Sequence, residues 1–147
     1  YTPDRLKNSM AMAIAFYDQY FPELAIRGFW SASWLYDTRL GLVLDNESSN
    51  IVHIQRQFYN YPTMEGDGML RYEVFGDWKA DPVLNPGEWT TSLQKAAAAY
   101  MKTGARFNTL SMVVLSEEIE KIGLNPYIKA SDIEEFLQTV DSHIKGS

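Results

Sequence analysis

The side chains with chemistry to offer gather in residues 72–93. Thr90, Thr91 and Ser92 put three hydroxyls at a helix start. A helix start presents unpaired N–H groups and the positive end of the helix dipole, a setting that suits an anion such as a pyrophosphate. The plainer reading of the same residues is a capping box, Thr91-x-x-Gln94, on a surface helix. Upstream, Glu73 lies on what reads as a strand. Its carboxylate could take a proton from an amine, or pair with Arg71 or Arg56 across a hairpin.

Other candidates are weaker. His53 falls mid-strand between Val52 and Ile54, and a satisfied surface histidine is the commoner meaning of that position; proton transfer is the sharper one. His143 sits near a C-terminal helix end, where it favours the dipole. Trp30 and Trp34 share one face of an aromatic strand and read as core against a helix more readily than as the floor of a ligand cleft. Ser31 and Ser33 fall on the opposite face with no His or Lys beside them, which leaves a nucleophile role without support. The chain has no cysteine, so disulfides, zinc–thiolate sites and a thiol nucleophile are excluded. No metal site is expected. Walker, Gly-x-Gly-x-x-Gly, His-Glu-x-x-His and Gly-x-Ser-x-Gly motifs do not occur.

The elements that must position these groups follow from periodicity. Thr2 and Pro3 open a helix that Leu6, Met10, Ala13, Ile14, Tyr17 and Phe21 carry to Tyr20, where Pro22 ends it. Residues 26–36 alternate as a strand with apolar side chains on both faces, so a central strand is expected. A short turn of helix covers 39–44. Residues 51–61 and 69–75 alternate again and are expected as two strands of an antiparallel hairpin. A long loop at 76–88 leads to the capping box, and Gly104 closes the helix it opens. Residues 107–115 form a fourth expected strand. A short helix from Ser116 to Ile122 follows, closed by Gly123, and a capping box at Ser131 opens a last helix. The helix between the third and fourth strands is a crossover, so those two strands can run parallel. The fold class is α+β: a mixed, mostly antiparallel sheet flanked by helices.

Composition bounds the rest. The 147 residues fit one domain, and 46% of them are apolar, enough for a core without staples. Asp and Glu number 19 against 13 Lys and Arg, for a net charge of -6. The basic residues are scattered singly, which argues against nucleic acid, and an acidic surface repels anionic membranes. No apolar run reaches the ~20 residues of a spanning helix. With no leader pattern at the start and no cysteine, a cytoplasmic location is expected. Residue 1 is Tyr rather than Met, consistent with either a short trimmed start or a missing upstream domain.

Three runs carry a family likeness: Arg27-Gly28-Phe29 through Ser33-Trp34-Leu35-Tyr36-Asp37; Asn50-Ile51-Val52-His53-Ile54-Gln55-Arg56-Gln57-Phe58; and Thr91-Ser92-Leu93-Gln94-Lys95-Ala96 followed by Gly104-Ala105-Arg106. Over residues 3–115 the chain resembles the C-terminal GNAT-like domain of bacterial two-domain N-acyltransferases. The resemblance implies one GNAT-like domain over residues 1–147, the C-terminal part of a longer chain whose missing N-terminal domain is a partner. It implies acyl-CoA as cosubstrate and a small-molecule amine as acceptor. It also puts the pyrophosphate on the strand-to-helix passage, at Gly87, Thr90, Thr91 and Ser92. The family's usual Gln/Arg-x-x-Gly-x-Gly/Ala is replaced here by Asn85-Pro86-Gly87-Glu88-Trp89-Thr90-Thr91, with a single glycine and an acidic residue.

Two functions remain open on these residues. One is acyl transfer to an amine, with Glu73 or a bound water as base. The other is a non-catalytic GNAT-like module that binds a small ligand or docks a neighbouring domain, which the altered turn favours. A cystatin-like or NTF2-like cone suits the long first helix and aromatic strands but not the crossover helix.

Overall fold

In the computed structural model, residues 2–45, 47–84 and 86–124 are described; the helix expected from Ser131 and His143 lie outside them. The first helix, α1 (Pro3–Tyr20), forms as its ends dictate. The Thr2 hydroxyl accepts from the Arg5 amide, Pro3 occupies the first turn, and Phe21 closes the last turn onto the Tyr17 carbonyl. Leu6, Met10 and Ile14 carry its inner face into the core.

The sheet has three strands among the described residues: β1 (Gly28–Ser33), β2 (Tyr59–Met64) and β3 (Thr109–Leu115), in the order β1-β3-β2 and antiparallel at both pairings. β3 is the central strand, which accounts for its nearly continuous burial. β1 is an edge strand rather than the expected central one, and its chain turns at Ser33 into a 3-10 turn, Trp34–Tyr36. It lies close against its neighbour: a Cβ on Gly28 would come within 2.5 Å of the Val114 carbonyl oxygen.

Two expected strands are helices. Residues 50–55 form α3 (Asn50–Gln55), with the Ser49 hydroxyl accepting from Val52 N. The alternation of Ile51, His53 and Gln55 coexists with an i, i+3 pattern, and that second pattern prevails: Val52 and Gln55 are both buried. The strand begins later, at Tyr59. Residues 68–75 form α4 (Gly68–Phe75), where Leu70 and Val74, one turn apart, pack into the core and Gly76 ends the helix at φ 83. The hairpin expected between these segments is therefore absent; β2 pairs with β3 instead. The parallel pairing disappears with the third expected strand. The α+β class stands.

Helix α2 (Leu40–Val43) follows the 3-10 turn, and α5 (Ser92–Lys102) runs from the capping box. Ser116–Lys121 is a 3-10 turn. Two apolar clusters result among the described residues. One face of the sheet, with Leu110, Met112 and Val114, packs against α1 and Ile119. The second cluster joins Leu40, Leu70, Ala97, Met101 and Phe107 among the helices. A buried ion pair ties them. Asp37 accepts from Arg39 Nε at 2.8 Å and from the Asn108 amide at 2.6 Å, while Arg39 Nη1 donates to the Arg106 carbonyl at 2.7 Å. Burial pushes the Asp37 carboxyl up from its ordinary value; the hydrogen bond and charge of Arg39 and the Asn108 amide pull it back. Gln55 completes the junction, donating to the carbonyls of Leu35 and Asp37.

Candidate functional site

The candidate site is the corner where α4 ends, the 76–91 loop turns and α5 begins. Gln94 organises it. Its Oε1 accepts from the Thr90 and Thr91 amides, each at 3.1 Å, and its own amide donates to Thr91 Oγ1 at 3.1 Å, completing the capping box. Its Nε2 donates to the Val74 carbonyl at 2.8 Å. That last bond joins the start of α5 to the end of α4, the helix that carries Glu73; Glu73 lies on a helix and not on the expected strand.

The expected groups take the following places. Glu73 is solvent-exposed. Neither ion pair considered for it forms: Arg71 instead grips Asp67 one turn back through Nε and Nη2, at 2.7 and 3.0 Å, and its Nη1 donates to the Ala80 carbonyl. The bonds to Asp67 raise the guanidinium's pKa above its ordinary value; burial opposes them and the charge of Asp81 adds to them. Arg56 follows α3, and its Nε is buried without a hydrogen-bond partner. Gly87 lies in a 3-10 turn, Pro86–Glu88, in open space, where a Cβ would meet nothing within 4 Å. The amides of Thr90 and Thr91 are taken up by Gln94, so what these residues still offer a ligand is hydroxyl hydrogen bonding. Thr91 Oγ1, although it accepts from Gln94, retains its own O–H to donate.

Aromatic side chains wall the corner. The Phe75 and Trp89 rings meet edge to face at 4.7 Å, and Trp89 Nε1 donates to the Pro82 carbonyl at 2.9 Å. One turn before Phe75 on the same helix, Tyr72 stacks on the Trp78 ring at 4.8 Å and 16°. Sequence reading missed this pair. The signal for it is Gly68 four residues before Tyr72: on a helix these share a face, and Trp78, placed two residues past the helix-ending Gly76, folds back onto that face.

The remaining candidates are structural. Ser33 Oγ accepts from Leu35 N and starts the 3-10 turn. His53 Nε2 is 2.7 Å from the Glu47 carbonyl, a satisfied surface histidine. Trp34 packs into the helical cluster as expected. Trp30 does not; it is 62% exposed, because the face of β1 that carries it is the one turned away from α1. Among the described residues no group of His, Asp or Glu side chains is placed to hold a metal ion, and no helix is long and apolar enough to cross a membrane.

Solved structures share this fold. An acyltransferase in complex with decanoyl-CoA and teicoplanin is 26% identical, with a TM-score of 0.66 over 78% of this chain and 36% of its own. An acyltransferase mutant in complex with octanoyl-CoA is 27% identical, with a TM-score of 0.64 over the same shares. A third, an acyltransferase in complex with CoA and 10C-teicoplanin, is 26% identical with a TM-score of 0.65. The chain thus spans about a third of the length of these proteins. Comparison with curated proteins finds no match. Residues 1–113 match the model of the GNAT-like C-terminal domain, and the chain belongs to that family.

Proposed function

We propose that this chain is the GNAT-like domain of an acyl-CoA-dependent N-acyltransferase and that it takes part in moving an acyl group from acyl-CoA to an amine. One observation carries the reading: the fold and 26% of the residues are shared, over 78% of the chain, with an acyltransferase that holds decanoyl-CoA. In this reading residues 1–147 form the C-terminal domain of a longer protein, and a further domain of that protein completes the enzyme. The 36% coverage of the similar acyltransferase supports that division.

The chemistry asks little of the protein beyond positioning. The amine nitrogen attacks the thioester carbonyl, a C–N bond forms, the C–S bond breaks and its electron pair leaves on the CoA sulfur. Glu73, exposed at the corner, accepts the proton that the attacking nitrogen sheds, and the leaving thiolate regains one from solvent. The hydroxyls of Thr90, Thr91 and Ser92 and the open turn at Gly87 contact the pyrophosphate at the start of α5. The test follows free thiol released from decanoyl-CoA in the presence of a primary amine. Amine-dependent release, cut about a hundredfold by Glu73→Gln, supports the reading. Release that Glu73→Gln leaves unchanged removes Glu73 from it.

A second reading has its own observation. With Gln94 Oε1 already on the Thr90 and Thr91 amides and Glu88 beside the turn, the corner is poorly furnished for a pyrophosphate. A non-catalytic GNAT-like module, binding a small ligand or docking a neighbouring domain, fits that. Binding of acyl-CoA with no amine-dependent thiol release separates it from the first reading.

A further inference from the structure

The Tyr72–Trp78 stack is built, and the reaction described above leaves it unused. Gly68 and Tyr72 lie one helical turn apart on α4, and the indole of Trp78 rests across that face. A Cβ added at Gly68 would come within 3.3 Å of the Trp78 ring, so a larger residue there would push the indole off its seat. The ring planes lie at 16°, which commits one face of each ring to the other. Even so, Trp78 is 55% exposed and Tyr72 46%. An indole so seated keeps a π-face turned to solvent, and that face carries partial negative charge.

The charges of the segment that carries it select the occupant. Residues 72–88 hold four carboxylates, Glu73, Asp77, Asp81 and Glu88, against one cation, Lys79. Glu73 follows Tyr72 on α4 and Asp77 precedes Trp78 in the chain; the Asp77 carboxylate accepts from the Lys79 amide at 2.9 Å and keeps its charge. The guanidinium of Arg71, the residue before Tyr72, is engaged with Asp67 and the Ala80 carbonyl. A phosphate or carboxylate ligand is repelled here; an organic cation is attracted both by the field and by the ring face.

We infer that the Tyr72–Trp78 wall is a recognition site for a protonated amine, with Glu73 and Asp77 supplying the countercharge. For the identity of that amine, the acceptor of acyl transfer before it gives up its proton, the inference rests on the function proposed above; the cation preference itself does not. Trp78 is then a specificity-determining residue for the acceptor and takes no part in breaking bonds.

The experiment titrates the full chain at neutral pH with cyclohexylammonium and, separately, with cyclohexanol, a neutral ring of similar shape. Binding is read from the indole N–H resonance of Trp78. The expected result is ammonium bound about fivefold more tightly than the alcohol, the size of an exposed cation–π contact, with the preference weakening in high salt. Trp78→Leu is expected to bring the two ligands to parity. Lys79→Ala, which removes the competing cation, is expected to widen the gap. Equal binding by the unaltered chain, no binding of either ligand, or a preference that survives Trp78→Leu overturns the inference. Decanoyl-CoA added to the same sample separates this from the parent reading. An ammonium preference with no response to decanoyl-CoA retires acyl transfer and leaves the cation site. A response to decanoyl-CoA without the preference retires the cation site alone.

Discussion

Trp30 Nε1 donates to Tyr61 Oη at 2.8 Å across the width of the sheet. The two residues stand on opposite edge strands, with β3 between them. Trp30 is level with Val113 and Tyr61 with Ser111, so the bond passes over the central strand. Below it Ser111 is fully buried, its hydroxyl 2.8 Å from that of Thr63. A sheet of three strands has little to hold its edges in register beyond its backbone ladder, and this bond clamps both edges at once.

The clamp is measurable as a coupling. Trp30→Phe and Tyr61→Phe each remove one partner and keep most of the ring. In a double-mutant cycle read by denaturant unfolding, the bond is expected to show as about 0.5–1 kcal/mol of coupling. Additive single effects would mean that the two side chains touch without mutual stabilisation.

Asp37→Asn is expected to be among the most costly single changes. Asp37 is 1% exposed and Arg39 4%, and the substitution leaves a buried guanidinium short of its countercharge. The loss expected is about 3–5 kcal/mol in unfolding free energy. A loss below about 1 kcal/mol would indicate that Arg106 and the surrounding backbone suffice to hold Arg39.

Two glycines give opposite expectations. Gly28→Ala drives a Cβ into the Val114 carbonyl at 2.5 Å, and backbone cannot swing aside as a side chain does; about 1–3 kcal/mol of destabilisation is expected. Gly87→Ala meets open space and is expected to stay within about 0.5 kcal/mol of the parent. Chemical denaturation of the pair checks both. Equal costs would contradict the close β1–β3 approach. Because Gly87→Ala is expected to be silent in folding, any loss of ligand binding it causes can be assigned to the turn itself.

At the corner, Thr91→Ala is expected to cost about 1 kcal/mol through the lost cap. Gln94→Ala is expected to cost more, since it releases the Thr90 and Thr91 amides and the Val74 carbonyl together. Amide hydrogen exchange offers a direct reading: in Gln94→Ala the Thr90 and Thr91 amides are expected to lose protection while the middle of α5 keeps it. Retained protection at both amides would contradict the organising role of Gln94.

Where a local signal was strong, the sequence disclosed the fold. Thr2-Pro3 and Pro22 bound α1 to the residue, and the Thr91-x-x-Gln94 box with Gly104 bounds α5, because caps and proline act on the adjacent backbone whatever surrounds it. Residues 51–55 and 69–75 misled because short apolar runs satisfy alternation and helical spacing together; tertiary packing of Val52, Leu70 and Val74 decided between them. The site was half legible. Hydroxyls and a carboxylate in residues 72–93 were visible as types, and the Gln94–Val74 bond joins the helix ends beside which they lie. The Tyr72–Trp78 stack depends on Gly76 reversing the chain, and the Trp30–Tyr61 bond depends on a strand order that sets β3 between β1 and β2. Neither leaves a trace in local periodicity.

The central claim, that this domain belongs to an acyl-CoA-dependent enzyme, is tested most directly by equilibrium binding of decanoyl-CoA to the chain, followed as a shift in thermal unfolding. A ligand held only by the native state at about a hundred times its dissociation constant adds about 2.7 kcal/mol. The expected result is a midpoint that climbs with decanoyl-CoA concentration, with the climb diminished in the Thr91→Ala, Ser92→Ala double variant. A midpoint that stays fixed at saturating decanoyl-CoA, and equally with octanoyl-CoA and free CoA, would contradict the account.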